Sequence, residues 1–258
     1  MRRSGRGSIG ERCWLRGRRP DSIDAVKASV QEIRERFDND VERFSNLETG
    51  QIATQDAALV MGLIAASALR VTPGATRLLD LGCGAGNFSL KFAQVFPLQR
   101  VTLVDLSANM LDRAVERLGP LRIETRAMQC DVRDLDLEAG SQDVIVAAAV
   151  LHHLRAEVEW AAVFRQLFTA LRAGGSLWIW DLVSHDITGV QAEMRERYGA
   201  YLEGMNGPEY RDKVLAYVEY EDSPRSVAFQ LHHLRMAGFQ ADVIHKNGCF
   251  AAIGAYKA

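Results

Sequence analysis

Apolar positions recur at spacings of three and four over residues 24–45, where Val26, Val30, Ile33, Phe37, Val41 and Phe44 fall along one helical face. That face is stable only if tertiary contacts cover it. A second helix is expected over residues 54–69, ended by the Pro73-Gly74 turn. From Arg77 the pattern changes to short apolar runs at 77–81, 100–105, 123–129, 143–148 and 177–181, which read as strands. Helical stretches at 87–95, 108–118 and 157–171 separate them. This alternation predicts a doubly wound α/β domain, a mostly parallel sheet with helices on both faces. Toward the end, residues 224–237 predict a helix begun by proline and stopped by Gly238. Extended segments at 240–246 and 250–256 flank Asn247-Gly248, a strong hairpin signal, so the sheet should finish with an antiparallel pair.

Composition narrows the class. With 258 residues and 48% hydrophobic side chains the chain can bury one full core. No charge-free apolar run reaches the ~18 residues of a membrane span, so no membrane partner is expected. Cys13, Cys83, Cys130 and Cys249 show no metal-ligand spacing; no metal is expected, and reduced thiols fit a cytoplasmic protein. The net charge of −2 hides an asymmetry, because residues 1–20 hold seven arginines and one acidic residue. Residues 1–22 therefore read as a basic, disordered tail, either a plain extension or a contact for RNA or an acidic partner. No apolar core follows Arg2 and Arg3, so they do not announce a secretion signal. Residues 23–258 remain as one domain, with N-terminal helices over 23–72 and an insertion over 187–222.

The most informative segment is the run from Arg77 to Phe88, RLLDLGCGAGNF, in which a buried strand feeds three alternating glycines and then a helix. Glycine permits the tight turn and lets a ligand approach the backbone. Such a site lies at the carboxyl end of the strand, near the reversal of strand order. A dinucleotide fingerprint would place its third glycine at position 87, where this chain has Asn87 with Gly86 one residue early. No phosphate loop of the ATPase type is present either. Asp105 ends the second strand, where a carboxylate can accept two ribose hydroxyls; Ser107 suffices to cap the helix that follows. Asp131 can accept an adenine amine while the Val132 N–H donates to the ring. Leu106 and Met110 are apolar candidates for the base, although Met110 could equally fill a helix-to-sheet gap.

Taken in order, LLDLGCGAGNFS, VTLVDLSANML, QCDVRDL, DVIVAAAVLHHL and LRAGGSLWIWDLV resemble the class I S-adenosylmethionine-dependent methyltransferases over residues 77–183. The resemblance implies a seven-stranded sheet in the order 3-2-1-4-5-7-6 with strand 7 antiparallel. It implies S-adenosyl-L-methionine as cofactor. Gly82 and Gly84, in one turn with Asp80 and Cys83, would line its amino-acid side, Asp105 would hold ribose, and Asp131 with Val132 would recognise adenine. Ala147 matches the position whose carbonyl meets the methionine amino group.

The acceptor side is less legible. Methyl transfer needs an electron pair aligned behind an already activated carbon, so positioning carries much of the catalysis. His152 and His153 follow the fourth strand: His152 is placed for the cofactor edge and His153 for proton abstraction. Asp181 and His185 follow the fifth strand and are further acceptor-side candidates, whereas His232 and His233 lie in the last helix without metal-site spacing. Residues 187–222 carry eight acidic and four basic residues together with Tyr198, Tyr201, Tyr210, Tyr217 and Tyr220, a composition suited to a substrate cover. Outside the tail the chain is acidic, which disfavours a nucleic-acid groove. A small-molecule acceptor, methylated on oxygen or nitrogen, is the expectation. A distant likeness to methyltransferases of the transfer RNA wobble uridine, and a noncatalytic S-adenosylmethionine-binding regulator, are the alternatives.

Overall fold

The computed structural model describes residues 27–45 and 53–258, and the basic tail at 1–22 lies outside the described residues. Seven strands form one sheet: β1 (Arg77–Leu81), β2 (Arg100–Asp105), β3 (Glu124–Gln129), β4 (Gln142–Ala148), β5 (Leu171–Leu182), β6 (Gln240–Asn247) and β7 (Phe250–Tyr256). Their order is β3-β2-β1-β4-β5-β7-β6. The first five run parallel, and β7 is antiparallel to both β5 and β6. The terminal hairpin read from Asn247-Gly248 is therefore present, and it fills the gap between β5 and the edge.

Period-two alternation distributes each central strand between two cores. Leu79, Leu81, Ile145, Ala147 and Ile179 face one side, against α6 (Glu157–Ala170) and α8 (Val227–Ala237), where Trp160, Phe164 and Leu234 are fully buried. Leu78, Leu103, Val144, Val146 and Trp178 face the other, against α3 (Ala57–Val71), α4 (Asn87–Ala93) and α5 (Ala108–Leu118). Because both faces are covered, β1 and β4 read as continuous apolar runs.

Several elements differ from the sequence pattern, among them β5, which begins at Leu171 rather than at residue 177. Of the helix expected over 24–45, residues 24–26 lie outside the described residues, and the remainder holds two helices, α1 (Val30–Asn39) and α2 (Val41–Ser45), separated at Asp40. The start of α1 is set by a capping box: Ser29 Oγ accepts the Glu32 N–H at 3.2 Å, and Glu32 accepts the Ser29 N–H at 2.7 Å. The last helix begins at Val227 rather than Pro224, because Ser226 caps it by accepting the Phe229 N–H. The insertion is almost entirely helical, α7 (Thr188–Glu221), broken at Asn206 and Gly207. Gly207 has φ +83° and ψ 176°, backbone that only glycine adopts at little cost, and Pro208 restarts the helix. Among the described residues no helix is long and apolar enough to cross a membrane.

The order reverses at β1, which pairs with β2 on one side and β4 on the other. The carboxyl ends of these three strands leave a crevice between their diverging connections, the usual ligand position in an open α/β sheet.

Candidate active site

The turn after β1 builds the floor of this crevice. Gly82, Gly84 and Gly86 all have positive φ, so the chain reverses within five residues. At Gly82 a Cβ would stand 2.6 Å from the Val150 side chain, which excludes any larger residue as the backbone now runs. Asp105, at the end of β2, ties the turn to the neighbouring strand. One of its oxygens accepts the Gly84 N–H at 2.8 Å and the other the Ser107 N–H at 2.9 Å. Each oxygen keeps a further lone pair for a hydroxyl donor. Burial raises the Asp105 pKa, against the opposing effect of those backbone donors.

Asp80 lies one turn deeper. Its Oδ2 accepts both the N–H and the hydroxyl of Ser89, at 3.0 and 2.6 Å, yet burial dominates and pushes its pKa up to about 7. Cys83 is raised well above a normal thiol by burial and by Asp105 and Asp80, so it stays protonated. Asp131 is gripped by Arg133, whose Nε and Nη2 reach its two oxygens at 2.8 and 2.5 Å. Burial works to raise the Asp131 pKa, but these bonds win and lower it.

One cavity gathers Asp80, Gly82, Cys83, Gly84, Asp105, Leu106, Met110, Asp131 and Val132, nine of the eleven residues expected around the cofactor. Ala147 and His152 are not in its wall. Ala147 points into the core beside α6, and Ala148 and Ala149 form the wall after β4. Ala149 has φ +53°, a left-handed conformation costing about 1 kcal/mol or more in a non-glycine residue. Its N–H donates to the Trp180 carbonyl at 2.8 Å.

Of the acceptor-side candidates, only His153 borders the cavity, edge-on to Phe37 with centroids 6.1 Å apart. Burial, His152 and Arg36 hold its pKa well below the ordinary value, so the ring is neutral. Asp181 lies beneath the turn after β4. Its carboxylate accepts the N–H groups of Leu151, His152 and Leu182 and pairs with His152 Nδ1. Although burial opposes the charge on His152, Asp222 and Asp181 outweigh it and lift its pKa to about 9. His185 is elsewhere: its N–H donates to Gln191 and its Nε2 stands 3.0 Å from Lys246 Nζ.

The roof comes from residues that motif reading did not place. Val30, Ile33 and Phe37 of α1 line the cavity, joined by Thr54, Arg155 and Trp180. Their periodicity announced a face needing cover, but not what it covers. At one end of α1, Ser107 Oγ donates to Asp38 at 2.6 Å and Asn109 donates to the Asp38 carbonyl. On its far flank Arg36 makes a two-pronged pair with the buried Glu221 at the end of α7, and Lys27 donates to the carbonyls of Glu219 and Asp222. The N-terminal helix is thus strapped across the crevice.

Residues 78–175 match a family model described as a methyltransferase domain. Together with the sheet order and the crevice at β1, this establishes a class I S-adenosylmethionine-binding methyltransferase domain in the chain. Among relatives, a malonyl-[acyl-carrier protein] O-methyltransferase of Legionella pneumophila is 31% identical over 113 residues, 42% of this chain and 36% of that protein. A trans-aconitate 2-methyltransferase of Streptomyces coelicolor is 27% identical over 176 residues, 65% and 52% of the two chains. The chain thus aligns with about a third to a half of the length of these curated relatives. In solved structures the [4+2]-cyclase SpnF superimposes with a TM-score of 0.64 at 16% identity, covering 90% of this chain and 97% of SpnF. That likeness concerns the fold alone.

Proposed function

We propose that the protein transfers a methyl group from S-adenosylmethionine to an oxygen or nitrogen atom of a small-molecule acceptor. The observation that carries this reading is the gathering of the glycine turn, Asp105 and Asp131 around one cavity at the strand-order reversal. The residues fit the donor: the turn admits a ligand against its backbone, and at Gly84 even a Cβ would meet nothing within 4 Å. Asp105 has lone pairs for ribose hydroxyls, and Asp80 and Asp105 supply negative charge suited to a cationic ligand. The bound cofactor supplies an activated methyl carbon, whose bond to sulfur breaks as the acceptor lone pair attacks, leaving a neutral sulfide.

The protein's own contribution is positioning and exclusion of water. The apolar face of α1 closes the crevice above the strand ends, while Trp180, Phe88 and Val150 supply apolar wall. His153 faces the cavity as a neutral imidazole with a lone pair to accept a proton, but its depressed pKa makes it a weak base, so positioning carries the larger share. Of the two relatives named above, one is named for the free organic acid trans-aconitate and the other for a malonyl group on an acyl-carrier protein, which supports an acceptor with an organic-acid group. Calorimetry with S-adenosylhomocysteine tests the donor half, and a labelled-methyl screen over organic acids, other metabolites and transfer RNA tests the acceptor half. A folded sample that binds neither cofactor nor product overturns the proposal. Binding without transfer to any acceptor points instead to a cofactor-dependent regulator.

A further inference from the structure

Where the turn after β4 meets the end of the insertion, His152, His153 and Asp222 bring one ligating atom each within 4.8 Å of one another. Nε2 of His152 and Nδ1 of His153 both stand 3.5 Å from Oδ1 of Asp222. Two donors bound tetrahedrally to one ion at ~2.1 Å lie about 3.4 Å apart, so this spacing matches a shared metal. We propose that these three side chains form a divalent metal site of the zinc class, with its open fourth position turned toward the cavity.

Three features besides the spacing support the assignment. Asp181 holds Nδ1 of His152, which fixes the tautomer and leaves Nε2 as the coordinating atom. A carboxylate behind a ligating imidazole is the usual support of metal-bound histidine, and Asp181 is itself fixed by three backbone N–H donors. Both ring nitrogens of His153 are buried without a hydrogen-bond partner, an arrangement that costs free energy unless something binds there. Finally, the two segments of the site are joined by backbone, the Ser223 N–H donating to the His152 carbonyl at 2.7 Å. A dication here would be balanced by Asp181 and Asp222, since Glu221 nearby is already paired with Arg36.

Of the three ligands His153 alone lines the cavity, and through it the ion would border the space assigned to the acceptor. There the metal would hold the acceptor heteroatom and ease loss of its proton to solvent. In this state His153 acts as ligand rather than base. No electron transfer is involved; ion binding displaces only the proton on His152 Nε2. This use of the site rests on the methyl-transfer reading, whereas metal binding itself does not.

The test uses the full chain, stripped with chelator and titrated with Zn²⁺ and with Co²⁺, alongside calorimetry with S-adenosylhomocysteine. One ion per chain is expected, with a tetrahedral cobalt spectrum lacking thiolate charge-transfer bands. Asp181→Asn should weaken the ion about tenfold or more. His153→Ala and the isosteric Asp222→Asn should weaken it further, with circular dichroism as the control for folding in both and S-adenosylhomocysteine binding retained in Asp222→Asn, which lies outside the cavity wall. Wild-type protein that binds S-adenosylhomocysteine but takes up no stoichiometric metal would overturn the site and leave the methyl-transfer reading standing. A cobalt spectrum dominated by thiolate bands, or affinity unchanged in both ligand variants, would also overturn it. Metal uptake without any cofactor or product binding would instead count against methyl transfer alone.

Discussion

Asp80 and Asp105 are carboxylates at the ends of adjacent strands in one cavity, but their partners give them different tasks. Asp105 receives one backbone N–H on each oxygen and keeps lone pairs free. Asp105→Asn replaces one acceptor oxygen by a donor, so S-adenosylhomocysteine affinity should fall about tenfold to a hundredfold, the loss of one or two hydrogen bonds to a charged group. Calorimetry on the variant checks this. Asp80 titrates near pH 7 because burial disfavours its charge. Its unfolded pKa is about 3.9, so the folded state holds the proton more tightly. This contribution to stability is complete below about pH 4 and is lost as pH rises through about 7. The thermal midpoint of the wild type should therefore decline from pH 5 to 7.5 relative to Asp80→Asn. Affinity for cationic S-adenosylmethionine should rise from pH 6 to 8 in the wild type and stay flatter in that variant. At this scale the donor residues were legible because strand, turn and helix follow one another in the chain. Phe37 and Trp180 were not, since only folding brings these distant positions to the crevice, just as only folding brings Asp222 beside His152 and His153.

The elements divide the same way. Central strands and the helices between them announce themselves by local periodicity, whereas the partner of α1 depends on where α7 ends. That partnership is the bidentate pair between Arg36 and Glu221, with Glu221 only 4% exposed. Glu221→Gln leaves the guanidinium with a neutral partner, at an expected cost of about 1–3 kcal/mol. Because α1 is the roof, the loss should be local: faster amide exchange across residues 30–39 and several-fold faster cofactor release, with exchange in β1 and β4 unchanged. The break in α7 was hidden for another reason. A Gly-Pro pair marks a turn as readily as a helix restart, and only packing of the second half against Tyr198 and Leu202 decides between them.

At the level of the whole molecule, the sheet is the fixed frame and the two cores on its faces are independent of any ligand. The order 3-2-1-4-5-7-6 needed the family resemblance to be written down, since periodicity yields strands but not their neighbours. Binding in the crevice adds contacts across β1, β2, β4 and α1 together, so it should stabilise the protein as a unit. At a hundred times its dissociation constant, S-adenosylhomocysteine should contribute about 2.7 kcal/mol. In a domain of this size that corresponds to a rise of about 5–10 °C in the thermal midpoint, measurable by differential scanning fluorimetry.

The strapped α1 also carries a kinetic meaning. A helix fastened to Ser107 on one side and to Glu221 on the other is held over the crevice, and we predict that product release proceeds by undoing one fastening. Each catalytic cycle then includes an opening step that is independent of bond making. With a competent acceptor, rapid-quench measurements should show a first turnover completed quickly, one methyl per chain, followed by a slower steady state. Glu221→Gln should shorten the interval between turnovers while leaving the first one unchanged.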